Sequence, residues 1–296
     1  MNQLNQRRIP TTFLTVFFLI AAAVAAVIRF VQFAADIVDF DTGFFYYHTG
    51  ALKHLHYIAL AVIGICLIIL VIIERKRKTR FFTKRLSHFD DSDTAICGIM
   101  LLLASFAVIY TAVGAGLSKL SIAELLTVFL GAAAYAFSGG ALLIKKRTFP
   151  SVGIAFLMLS GYYVIQLIIL FLGNHIILSM SEHLVRLIYT VVLALFYLSA
   201  GRMFMRIESK STRVKACVFG FFAIILAVSE IAAKITFLFG SPSVTRYNLG
   251  TTATTFIAPD MLFAAETIVI LVFLLTMLKV KHDKQERKSR RKSEKE

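Results

Sequence analysis

Of this chain's 296 residues, 58% are hydrophobic and 17% charged, less charge than the quarter or so that a water-soluble globule of this size carries. A net charge of +15 would make nucleic acid the first partner to consider in a soluble chain. Here the basic residues sit at the ends of long apolar runs, which excludes that reading and points to a bilayer whose anionic lipid headgroups they meet.

Eight apolar runs follow one another at about 11–33, 55–73, 95–117, 121–144, 151–172, 184–205, 216–238 and 259–279. Each is close to the roughly 20 helical residues that cross an apolar core of about 30 Å. The first follows Arg7 and Arg8 and contains Ala21, Ala23 and Ala25, which gives it the look of a secretory signal. Its apolar stretch exceeds the usual 7–15 residues of such a signal by about a half, so it reads as the first span.

The loop after it joins Asp36, Asp39 and Asp41 to the aromatic run Phe44–Tyr47, with His48, His54 and His56 close behind. The spacing fits no standard metal-ligand pattern, and His54 and His56 diverge on a helix. An interfacial aromatic belt is the simpler expectation, with a re-entrant cap as the alternative. Span two ends in Arg75, Lys76, Arg77 and Lys78.

Span four holds Glu124 and carries Ala132, Ala136 and Gly140, small residues four apart like Ala22 and Ala26 of span one. Such spacing marks expected close helix contacts in lipid. Span six holds Arg186, span seven Glu230 and Lys234, and span eight Glu266. The segment 241–259, rich in Ser and Thr, reads as a turn and an extended polar connector, or a gate, leading into Asp260. Residues 281–296 lack apolar periodicity and read as a disordered basic tail.

Charge distribution sets the topology. Of 32 Lys and Arg, 25 fall in the termini and alternate loops on one side, while Lys53, Lys119 and Arg246 occupy the other. Basic loops stay cytoplasmic. The expected fold is therefore an all-α, polytopic bundle of eight transmembrane helices over 1–280, both termini cytoplasmic, in a membrane such as the bacterial plasma membrane.

A parallel 4+4 internal repeat is geometrically allowed. Its anchors are Pro10 with Pro150, His54 with His183, Cys97 with Cys217, and Glu124 with Asp260. Cys66, Cys97 and Cys217 lie in or beside apolar runs, so no disulfide framework is expected.

Function must be sought in charges placed where charges are costly, at least about 2.5 kcal/mol near the bilayer centre. Arg202 can snorkel to the basic side. Arg29, Glu124, Arg186, Glu230, Lys234 and Glu266 cannot so easily; by the helical rise they fall about 5–13 Å outward of their span centres.

Glu230 and Lys234 have the spacing of a helical ion pair. Glu266 has no such neighbour in its own span and looks to Arg29, Arg186 or Lys234 on others. One reading is an outward-facing polar cavity, rimmed by Asp36, Asp39, Asp41 and Asp260, that transports or senses a small anionic or zwitterionic solute. In it Glu230 or Glu266 would exchange a coupling proton or cation. The alternative is a non-transporting assembly or regulatory subunit whose buried charges are structural ion pairs and whose basic loops recruit a protein partner. The sequence contains no His-Glu-x-x-His, Gly-x-Ser-x-Gly or phosphate-loop motif, so neither an enzyme nor a cofactor, metal or nucleotide site is expected.

Overall fold

The computed structural model describes residues 11–34, 52–77, 91–115, 122–144, 149–173, 181–205, 207, 210–239 and 253–278. Among them the regular structure is entirely helical: α1 Thr11–Ala34, α2 Leu52–Arg77, α3 Asp91–Ala115, α4 Ile122–Leu143, α5 Phe149–Gly173, α6 Ser181–Phe204, α7 Lys210–Phe239 and α8 Ala253–Leu278. Five of them, α3 to α7, are long and apolar enough to cross a membrane, while α1, α2 and α8 carry shorter apolar stretches.

Several helices outrun the apolar stretches that announce them. α2 continues to Arg77 and α7 begins at Lys210, because Lys and Arg are good helix formers and the backbone ladder does not end where hydropathy does. The expected extended connector before span eight is corrected in the same way. The backbone is already helical from Ala253, with Pro259 inside the helix, where its missing N–H removes one ladder bond. Pro150, in the first turn of α5, removes a donor that would have had no helical partner.

The helices pack as a ring. α3 packs on α4, α4 on α5, α5 on α6, α6 on α7, α7 on α8, and α8 back on α3. α1 lies outside this circuit against α7, and α2 packs on α1 and α7. The close α3–α8 contact has no counterpart between α7 and α4 among the well-packed pairs, so the packing lends the proposed 4+4 repeat no support.

Hydroxyls stitch neighbouring helices together around much of the ring. Ser105 of α3 donates to the Ala132 carbonyl of α4 at 2.8 Å, Ser138 of α4 to Ala155 of α5 at 3.1 Å, and Ser160 of α5 to Ala194 of α6 at 2.9 Å. The circuit closes where Thr276 of α8 donates to the Asp93 carboxylate of α3 at 3.1 Å. Each bond satisfies a buried hydroxyl without breaking a helix.

The ring is tightest at the end flanked by the basic segments. A Cβ added at Gly139 of α4 would lie 2.7 Å from the Gly98 carbonyl oxygen of α3. Likewise one at Gly201 of α6 would lie 3.0 Å from the Gly153 carbonyl oxygen of α5. These glycines make the close approaches, and of the stripe anticipated in span four Ala132 is buried against α3. Ala136 is exposed, Gly140 faces open space, and in α1 Ala21 and Ala25 are buried more deeply than Ala22 and Ala26. Hydropathy alone does not fix helix rotation, so one register step decides which small residue meets a neighbour.

Gly139→Leu is expected to force α3 and α4 apart and cost about 1–3 kcal/mol, whereas Gly140→Ala should be close to neutral. Thermal unfolding of the two purified variants in detergent checks the difference.

Candidate functional site

The interior of the ring changes character along its length. Near the basic end it is dry, filled by Leu101, Val152, Phe156, Met203, Cys217, Phe273 and Leu274, all buried. Towards the opposite end the inward faces become polar.

Helix α6 makes this plain. Its outer stripe is Val191 and Leu198, both exposed, and its opposite face is Tyr189, Leu193, Phe196 and Tyr197, all buried. Helical spacing places Arg186 on that inner face, one turn beyond Tyr189, yet Arg186 is exposed. Helix α4 repeats the pattern. Leu126, Phe129 and Phe137 form its exposed stripe, while Val128, Gly131 and Tyr135 run along the inner face. Glu124, four residues before Val128, shares that inner face and is exposed. On α5 the inner face passes from buried Leu159 and Tyr163 to half-buried Gln166 and Leu170. Arg186 and Glu124 are thus exposed polar side chains on faces that are otherwise buried.

Glu266 of α8, 1% exposed, is buried among these inner faces. Its Oε1 accepts from the Tyr135 hydroxyl of α4, and its Oε2 accepts from Tyr189 of α6 at 2.9 Å. The Tyr135 hydroxyl also meets that of Tyr163 on α5. Tyr163 stacks on Tyr197 with ring centroids 5.7 Å apart, and Tyr162 packs edge-on to Tyr135 at 5.9 Å. Gly131 leaves room for the Tyr162 ring, since a Cβ there would lie 2.5 Å from it. Gln166 donates to the Tyr162 hydroxyl at 3.2 Å.

Above this floor Arg29 of α1, 0% exposed, reaches Glu230 of α7 at 3.7 Å, and its Nη1 donates to Gln32 Oε1 at 3.5 Å. Glu230 keeps 15% of its side chain exposed and lies within electrostatic reach of Arg186. Tyr162 lies within electrostatic reach of both Arg186 and Glu266.

Charge reasoning from sequence thus finds one part of the site and misses another. Arg29 and Glu230 come together, with Arg186 within electrostatic reach of Glu230; Glu124 stands in the first turn of α4. The expectation that Glu266 pairs with a cation is corrected: among the described residues its hydrogen bonds come from tyrosines. A phenol supplies a donor with an apolar ring attached, which satisfies a buried carboxyl without desolvating a second full charge. The side chains of Lys234 and Asp260 lie outside the described residues, so the Glu230–Lys234 pair falls there too. So do Asp36, Asp39, Asp41, the first outer loop and the basic tail. The overlooked groups, Tyr135, Tyr162, Tyr163, Tyr189 and Tyr197, had one signal in the sequence. Tyrosine in a membrane span favours the interface, whereas Tyr135 and Tyr163 sit mid-helix.

No protein-family model, curated protein or solved structure matches this chain.

Tyr189→Phe and Glu266→Met are each expected to lower stability by about 1–3 kcal/mol. Because both remove the same bond, the double variant should fall short of their sum by about 1 kcal/mol. Unfolding of the four proteins in detergent tests this, and strict additivity would remove Tyr189 as a partner of Glu266.

Proposed function

We propose that this chain is an eight-span integral protein of a bacterial plasma membrane, both termini cytoplasmic, that transports or senses a small anionic or zwitterionic solute through an outward-facing polar cavity. The observation that carries the reading is Arg186: a cation on the inner face of α6, exposed where its helical neighbours are buried. An arginine deep in a bilayer is tolerated when it faces a wet cavity or a partner. Its guanidinium offers a planar donor fork suited to carboxylate or phosphate. The cytoplasmic placement of the basic end rests on the 25 basic residues that flank it; there they would meet anionic lipid headgroups. The glycine contacts that narrow the ring at that end would make it the closed side.

Arg29 and Glu266 support a second reading, a non-transporting assembly or regulatory subunit that recruits a protein partner. Both are covered, and both find partners inside the protein, as packing devices would.

In a Cys66→Ser background, Arg186→Cys and Glu124→Cys should react in intact cells with a membrane-impermeant thiol reagent. Leu193→Cys, on the buried face of α6, should react more slowly by about tenfold or more. Reaction of Arg186→Cys only in inverted vesicles would overturn the sidedness, and no reaction from either face would leave the subunit reading.

A further inference from the structure

Three phenols and one carboxyl form a continuous hydrogen-bonded chain across the ring, and burial that shuts out a solute does not stop a proton. We propose that Glu266 is a proton-binding site that loads and unloads through Tyr135 and Tyr163, with Tyr189 holding the carboxyl in place. This goes beyond the cavity reading above and does not rest on it.

The chain runs from Tyr163 of α5 to Tyr135 of α4, from Tyr135 to Oε1 of Glu266, and from Oε2 to Tyr189 of α6. A phenol has one hydrogen to give and an oxygen that accepts, whereas an ionised carboxyl only accepts. With Glu266 ionised, Tyr135 and Tyr189 each spend their hydrogen on it, and Tyr135 accepts from Tyr163. Phenol hydrogens then face both carboxyl oxygens, so a metal cation would have to turn both phenols away. A proton needs only one to turn. Delivered to the Tyr163 oxygen, it displaces that phenol's own hydrogen to Tyr135, and the hydrogen of Tyr135 passes to Oε1. Glu266 ends neutral and donates to Tyr135, Tyr135 donates to Tyr163, and every phenol again holds one hydrogen. The chain has reversed without leaving charge on a phenol, while Tyr189 still donates to Oε2.

Reversal points the Tyr163 hydrogen away from Tyr135, so it needs another acceptor. Tyr197 carries one: its ring stacks on Tyr163 with centroids 5.7 Å apart, and its buried hydroxyl has no hydrogen-bond partner among the described residues. A hydroxyl orphaned in the interior costs stability unless another state of the protein uses it. Three residues beyond Tyr163, α5 presents half-buried Gln166, on the polar side of the ring. The titratable groups nearby are otherwise engaged. The Tyr162 hydroxyl accepts from Gln166 at 3.2 Å, Cys97 of α3 donates to the Val269 carbonyl of α8 at 3.9 Å, and Glu230 of α7 pairs with Arg29 at 3.7 Å. Intramembrane carboxyls held in this way are suited to carrying protons.

Infrared difference spectroscopy on the full-length protein in lipid nanodiscs tests the site. Acidification should raise the carbonyl stretch of a protonated carboxyl, a band missing from Glu266→Gln, and transfer to heavy water should shift that band as the proton exchanges. Tyr163→Phe keeps both bonds to Glu266 but cuts the chain, so it should slow the exchange about a hundredfold or more. Tyr189→Phe removes a bond but not the route and should leave the rate little changed. Should Glu266→Gln not fold, Tyr135→Phe identifies the band by shifting its frequency, because the neutral carboxyl loses its acceptor. A band that survives Glu266→Gln unchanged, or that does not respond to pH, would overturn the proposal. So would exchange as fast in Tyr163→Phe as in the parent, or slowed equally by Tyr189→Phe. Exchange as expected, together with an Arg186→Cys unreactive from either face, would support the proton site and remove the cavity alone.

Discussion

A carboxyl group in the middle of an apolar ring has to be answered by donors, and Glu266 is answered from two directions at once. Tyr135 reaches it from α4 and Tyr189 from α6, so α4, α6 and α8, three alternate members of the ring, are tied at a common point. The neighbour contacts that close the circuit cannot alone fix the relative rotations of six helices, because apolar side chains slide over one another with little preference in lipid. A directional bond between non-neighbouring helices supplies what is missing. Phe196 of α6, edge-on to Phe273 of α8 at 5.4 Å, continues the same cross-ring contact one layer nearer the basic end.

From this follows the division of the interior into a dry part and a polar part. Below the Glu266 layer the large side chains fill the ring and the glycine pairs draw α3 to α4 and α5 to α6. Beyond it lie Gln166, Arg186 and Glu124 on inward faces and Glu230 against Arg29 of α1, all incompletely covered except Arg29. The polarity is therefore stacked along the bundle axis, with Tyr135 and Tyr189 at its boundary, bonded to Glu266.

The sequence carried the helices well and their rotations poorly. Eight apolar runs became eight described helices because run length and hydropathy are properties of each segment by itself. The partners of Glu266 were hidden because a tyrosine is ordinary in a span until a second helix turns its hydroxyl inward. Arg29 and Glu230 were readable, since a full charge in an apolar run demands explanation wherever it points. The small-residue contacts fell between these cases. Composition predicted that α4 would approach a neighbour closely, but whether Gly139 or Gly140 does so depends on a rotation set by Glu266, Ser105 and Ser138 elsewhere. Lys234 and the acidic loop residues stay at the level of sequence, since their side chains fall outside the described residues.

The pairing of Arg29 with Glu230 also has a bearing on biogenesis. α1 leaves the ribosome about 200 residues before its partner on α7, a delay of about 10–40 s at ordinary elongation rates. Throughout that interval a guanidinium destined for full burial has no Glu230 to meet. The nascent first helix must wait with Arg29 drawn to the headgroups or sheltered by the insertion machinery. It docks only when the seventh helix arrives, although it is the first to be made.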